Sequence, residues 1–189
     1  MARSRTADID FAELLLEQHS RRITDTICNA IGDDTTQFAK IIEIVYSSAP
    51  PLPQRASWII AVKARENPQL VQPYIEKFLD TFDSFTVDGI RRNIMQAIAH
   101  AEIPEERQAE LFDRCLELIR SAKEPVAIKA WAMEAAARIC EEFPELLHEF
   151  KAAVLPGMEN NSPAYAARAR LIFKRLERGP ASSSSVRKK

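Results

Sequence analysis

Between Glu124 and Cys140 the apolar positions Val126, Ile128, Ala132, Ala135, Ala136 and Ile139 recur at helical spacing, and Pro125 stands where a helix tolerates a missing N–H, in its first turn. Six of these seventeen residues are alanine, so the apolar side fills little volume and suits a place where neighbours approach closely from both sides. The same period runs through the rest of the chain. "FAELLLEQHSRRITDTICNAIG" predicts one long or one broken helix closed by Gly32, and "DDTTQFAKIIEIVYSS" a helix that starts on Asp/Thr caps and stops before "APPLP". Further helices are expected over "NPQLVQPYIEKFLDTF", "DGIRRNIMQAIAHA", "PEERQAELFDRCLELIR", "FPELLHEFKAAVLPGM" and "SPAYAARARLIFKRLERG", with proline repeatedly at or near the first turn. No segment is left that reads as a strand. Pro73 and Pro156 fall inside or near the ends of two of these helices, where each removes a hydrogen bond and is expected to kink or stop the helix.

The helices repeat. Aligning "QRASWIIAVKA", "IRRNIMQAIAH", "IKAWAMEAAAR" and "ARARLIFKRLE" on Arg55, Arg91, Lys129 and Arg168 gives spacings of 36, 38 and 39 residues. Pro68, Pro104 and Pro144, in the preceding helices, lie 36 and 40 residues apart, so both members of a helix pair share the period. A two-helix unit of this length cannot bury its apolar face alone, and stacking such units makes one continuous core, an α-solenoid. The alanine-rich segment is then an inner helix, flanked by its own pair partner and by adjacent units.

At these residues the chain resembles the HEAT-repeat family, whose second helix follows an acidic or proline-containing turn and carries small residues after a basic one. "EPVAIKAWAMEAAARI" and "DGIRRNIMQAIAHA" have this form, with Lys129 and Arg91 in the basic position. The resemblance spans about residues 35 to 178, and the whole chain is similar to small bacterial HEAT-like proteins of about this length. The units are shorter than the ~40–47 residues usual for HEAT and armadillo repeats. The resemblance implies an all-α fold, a right-handed α-α superhelix of about four helix pairs. Residues 1–178 are expected to form one repeat domain, and 179–189, "GPASSSSVRKK", a disordered tail.

Composition agrees and narrows the partners. Only 4 glycines in 189 residues argue against a turn-rich β protein, and a chain of this length buries roughly 70% of its unfolded surface without needing metal or disulfides. The net charge of −1 gives no global attraction to nucleic acid or anionic membranes. Cys28, Cys115 and Cys140 lie inside apolar patterns with no C-x-x-C pair, which predicts buried free thiols in a reducing compartment. "MARSRTADIDF" lacks the apolar core of a signal peptide, and the longest apolar run, "WIIAV", is far below the ~20 residues that span a bilayer. A cytoplasmic protein without membrane contact is expected.

Candidate chemistry is sparse. His19, His100 and His148 are scattered, and the single E-x-x-H of Glu145 and His148 is half of what a carboxylate-bridged di-iron site requires, so no metal or cofactor is expected. There is no nucleophile elbow, P-loop or dinucleotide fingerprint. HEAT-like alkylpurine DNA glycosylases use tryptophans and an aspartate on inner helices. Here the residues four after Trp58 and Trp131 are Val62 and Ala135, which favours core packing for Trp131 and an ion pair within the helix for Glu134 and Arg138. No catalytic residue is assigned.

Charge is sorted by helix row. The first helices of the pairs sum to −7 and the second helices to +10. The family resemblance places second helices on the concave surface, so Arg55, Arg91, Arg92, Lys129, Arg138, Arg168, Arg170 and Lys174 are candidates for a basic groove. The expected function is a non-enzymatic module binding an acidic segment of a partner protein. Nucleic-acid binding, or a glycosylase-type activity, is the alternative. A third role for the same cations is to satisfy the junctions between repeats.

Overall fold

The computed structural model describes residues 9–178 of the chain. Among these, the backbone forms eleven α-helices, three 3₁₀ segments and no strand. The tail predicted over 179–189 lies outside the described residues.

Local chemistry sets the early boundaries. α1 (Phe11–Glu17) begins where Asp10 accepts from the Glu13 N–H at 3.0 Å. The Ser20 hydroxyl then accepts from the Ile23 N–H and starts α2 (Arg21–Ile31) afresh, so the first long segment is a broken helix. Gly32 closes α2 at a φ of 52°, a conformation that side chains resist. Asp34 caps α3 (Thr35–Ser47) by accepting from the Thr36 and Gln37 N–H groups at 2.8 and 3.1 Å. α4 (Leu52–Glu66) and α5 (Pro68–Val71) follow, and the missing N–H of Pro73 coincides with a 3₁₀ turn, Gln72–Tyr74, before α6 (Ile75–Thr81). Then come α7 (Asp88–His100), α8 (Glu105–Arg120), α9 (Val126–Glu142), α10 (Leu147–Asn160) and α11 (Pro163–Glu177).

Pro156 behaves differently from Pro73. α10 runs through it and ends only at Asn160. Pro156 and Ala152, whose carbonyl loses its usual donor, are both exposed, so water can take that donor's place. The end of the helix is instead tied off by Asn160 and Asn161, whose side-chain amides donate to the carbonyls of Pro156 and Gly157, each at 2.9 Å.

The chain divides after Glu102 into two compact units. In the first, α3 pairs with α4, the α5–α6 segment pairs with α7, and α4 packs along α7, with α1 and α2 also against α4. Ala56, Ile59, Ile60 and Ala64 of α4 are fully buried there, as are Phe38 and Ile41 of α3 and Ile94 of α7. In the second, α8 pairs with α9 and α10 with α11, while α9 packs on α11 and α8 on α10. Each unit thus holds two helix pairs stacked like on like. That arrangement explains the thinness of α9: Ala132, Ala136 and Ala137 are fully buried on a helix with α8, α10 and α11 around it. The Cys115 thiol of α8 comes close enough to hydrogen-bond the Ala136 backbone.

Candidate interaction site

The second helices begin in the same way, and this fixes where their cations lie. Arg55, Arg91 and Lys129 are each the fourth residue of α4, α7 and α9. The sixth residues are where α7 touches α4 and where α11 touches α9. Asn93 of α7 donates from Nδ2 to the Ser57 hydroxyl of α4 at 2.9 Å, and Arg168 of α11 lies over the Trp131 ring of α9, 5.2 Å from its centre. Counted from the helix start, Arg168 therefore matches Trp131. An alignment on basic residues, which matches it to Lys129, slips by two positions in the last pair.

Several predicted site residues are committed to these junctions. Arg55 donates from Nη1 to the carbonyls of Leu15 at 2.6 Å and Leu16 at 3.3 Å, covering the carbonyl end of α1, where a cation is favoured. Lys129 is only 4% exposed and reaches the Asn161 side-chain oxygen at 3.4 Å. Arg92 holds Asn93 Oδ1 with Nε and Nη2 at 3.2 and 3.1 Å, and Ser57 passes the chain on to the Gln54 carbonyl at 2.8 Å. Arg91 lies over the Phe82 ring at 5.1 Å. Arg138 is half-buried on α9.

The α9–α11 junction is built around Glu134. Its carboxylate, with the side chain 14% exposed, receives Arg168 Nη2 at 3.1 Å and also pairs with Arg175, whose Nε bonds Glu141 at 2.8 Å. With its plane against Trp131 and one amino group on Glu134, Arg168 leaves its buried Nε without an acceptor among the described residues. One sequence expectation changes here. Trp131 is half-buried and carries a cation on its face instead of sitting in the core, and Glu134 pairs with arginines of α11. Arg175 carried no signal of its own in the sequence, because its role depends on which face of α9 it meets.

Arg170 and Lys174 are different again. Both are exposed on α11, and among the described residues neither makes a hydrogen bond or ion pair. They stand beside Arg168 and Arg175 on the same helix, so α11 presents cations that its neighbours do not neutralise.

The remaining titratable candidates do not converge. Among the described residues no three His, Cys, Asp or Glu gather as metal ligands, and no helix is long and apolar enough to cross a membrane. The three cysteines are buried and free. Burial pushes the thiols of Cys28 and Cys115 up to about 12 and that of Cys140 up to about 11, so none is held as a nucleophilic thiolate. Trp58 stacks on His19, with ring centres 5.3 Å apart and planes at 18°, while Val62 and Ala135 are buried.

The family model of the HEAT repeat domain matches residues 11–176. No curated protein and no solved structure matches the chain.

Proposed function

Because the chain belongs to the HEAT repeat domain family, whose repeats generally mediate protein–protein interaction, we propose that it is a non-enzymatic module binding an acidic segment of a partner protein. The contacts are assigned to cations of the second helices: Arg138, Arg168, Arg170 and Lys174 in the second unit, and Arg91 and Arg92 in the first. Arg55 and Lys129 act behind them, holding α1 and the end of α10. The observation that carries this reading is the pair Arg170 and Lys174, exposed and unneutralised on a helix whose other arginines are already matched by Glu134 and Glu141. A cation left in water at no structural gain is available to a carboxylate that arrives from outside. The three buried thiols suit a reducing compartment, which supports a cytoplasmic location for the module.

Titration with polyglutamate tests this. Binding should weaken several-fold in R170E/K174E and with added salt, while the helical spectrum stays unchanged. Random duplex DNA serves as the control. DNA binding that is stronger than polyglutamate binding, with a steep log–log salt slope, overturns the reading in favour of a nucleic-acid protein.

A further inference from the structure

Large apolar side chains reach the surface at few places among the described residues, and two of them, Leu16 at 54% and Leu171 at 65% exposure, sit on faces of opposite charge. On α1, the buried Phe11 and Leu15 turn Glu13, Leu16 and Glu17 outward. Neither of those carboxylates has an ion-pair partner among the described residues. On α11, the buried Tyr165, Ala169 and Ile172 turn Ala164, Ala167, Leu171 and Lys174 outward, with Arg170 beside them. Each face has a leucine at its centre and unmatched charges of one sign on its own helix around it, Arg55 of α4 being held on the carbonyls of Leu15 and Leu16. An apolar patch with a charged rim is the usual make-up of a protein contact.

We propose that these faces are partners in different copies of the chain, with α1 of one copy docking on α11 of the next. This rests on the reading that the α11 cations bind an acidic segment, and it names that segment. Leu16 packs on Leu171 and the small residues Ala164 and Ala167, while Glu13 and Glu17 meet Arg170 and Lys174. Like faces repel, since α1 against α1 brings carboxylates together and α11 against α11 brings cations together. The contact is therefore heterologous and repeats head to tail, giving a short chain or a closed ring. α1 is two turns long, so the contact is small, weak and sensitive to salt.

Sedimentation velocity on the full chain, from about 5 to about 500 µM, tests this. The weight-average sedimentation coefficient should rise with concentration and fall back at about 0.5 M salt. Two charge-reversed variants sharpen the test. E13K/E17K alone and R170E/K174E alone should each stay monomeric, because their two faces now share a sign. Mixed in equal amounts they should associate again, since each supplies a face complementary to the other. Leu171→Ala should weaken association of the wild-type chain at least several-fold. A wild-type chain that stays monomeric throughout overturns the inference, as does either variant associating alone or the mixture remaining monomeric. Loss of polyglutamate binding in R170E/K174E with a monomeric wild type leaves the functional reading standing and removes this inference. Unchanged polyglutamate binding in that variant removes the functional reading itself.

Discussion

Asn93 Nδ2 lies 2.9 Å from the Ser57 hydroxyl, and each residue is the sixth of its helix, 36 positions apart in the chain. The repeat period is thus expressed as a hydrogen bond between equivalent positions of consecutive units. Both side chains are buried, so the bond also settles the register of α7 on α4: a slip by one turn would leave two polar groups in apolar surroundings.

Replacing Asn93 with Ala should cost ~1–3 kcal/mol, because the Arg92 guanidinium loses its acceptor and Ser57 its donor. Urea denaturation measures it. In a double-mutant cycle, Ser57→Ala should cost much less once Asn93 is gone, and strictly additive losses would mean that the two groups are not coupled.

Gly157 offers a counterintuitive test. In the interior of a helix, Gly→Ala usually stabilises by ~0.5–1 kcal/mol. Here an added Cβ would meet the fully buried Tyr165 ring at 2.5–2.9 Å, and Tyr165 is further held by its hydroxyl donating to the Val154 carbonyl at 3.2 Å. G157A should therefore destabilise, by ~1–3 kcal/mol as for other overpacked sites, with a lower thermal midpoint. A midpoint at or above wild type would show that the ring has room to move.

Glu134→Gln removes the charge that faces Arg168 and Arg175. Both arginines are partly solvated and Arg175 keeps Glu141, so the loss of stability should be small, about 1 kcal/mol. The effect on binding should have the opposite sign: with two cations released, α11 should hold polyglutamate several-fold more tightly at low salt. Unchanged or weaker binding would take α11 out of the binding surface.

Stability should decline as the solution becomes alkaline. In the unfolded chain the thiols ionise near 9.0, whereas in the folded chain burial holds Cys28 and Cys115 up to about 12 and Cys140 up to about 11. Between these limits the unfolded state binds fewer protons, so raising the pH favours it. The stabilisation is complete below pH 9 and is lost progressively above it. Tyr46 and Tyr165, raised by burial as well, add the same sign at higher pH. Urea midpoints at pH 8 and pH 10 should differ, and C28A/C115A/C140A should flatten that difference.

Helix periodicity made the fold legible, since the apolar positions of α3, α4, α7, α8, α9 and α11 follow one 3.6-residue pattern and the prolines and basic residues mark its repeats. The identity of the cations was legible too. Their roles were not, because a basic residue in sequence has the same appearance whether it covers the carbonyls of Leu15 and Leu16, as Arg55 does, or meets water, as Lys174 does. Pro156 was legible only in part for a related reason: whether a proline kinks a helix or stops it depends on whether the orphaned carbonyl can find water, and that is a property of the packed surface.

The alanines of α9 also bear on how the second unit assembles. Alanine surrenders no rotamers on burial and has the highest intrinsic helix propensity, so α9 orders at a smaller entropic cost than its leucine- and phenylalanine-bearing neighbour α8. α8 and α9 are joined by a short connection and pack closely, which makes their hairpin a local contact with little loop to close. The folding nucleus of this unit is therefore expected in the α8–α9 hairpin, with α10 and α11 condensing on it later. Ala→Gly substitutions along α9 should slow refolding, while truncations in α11 should mainly hasten unfolding.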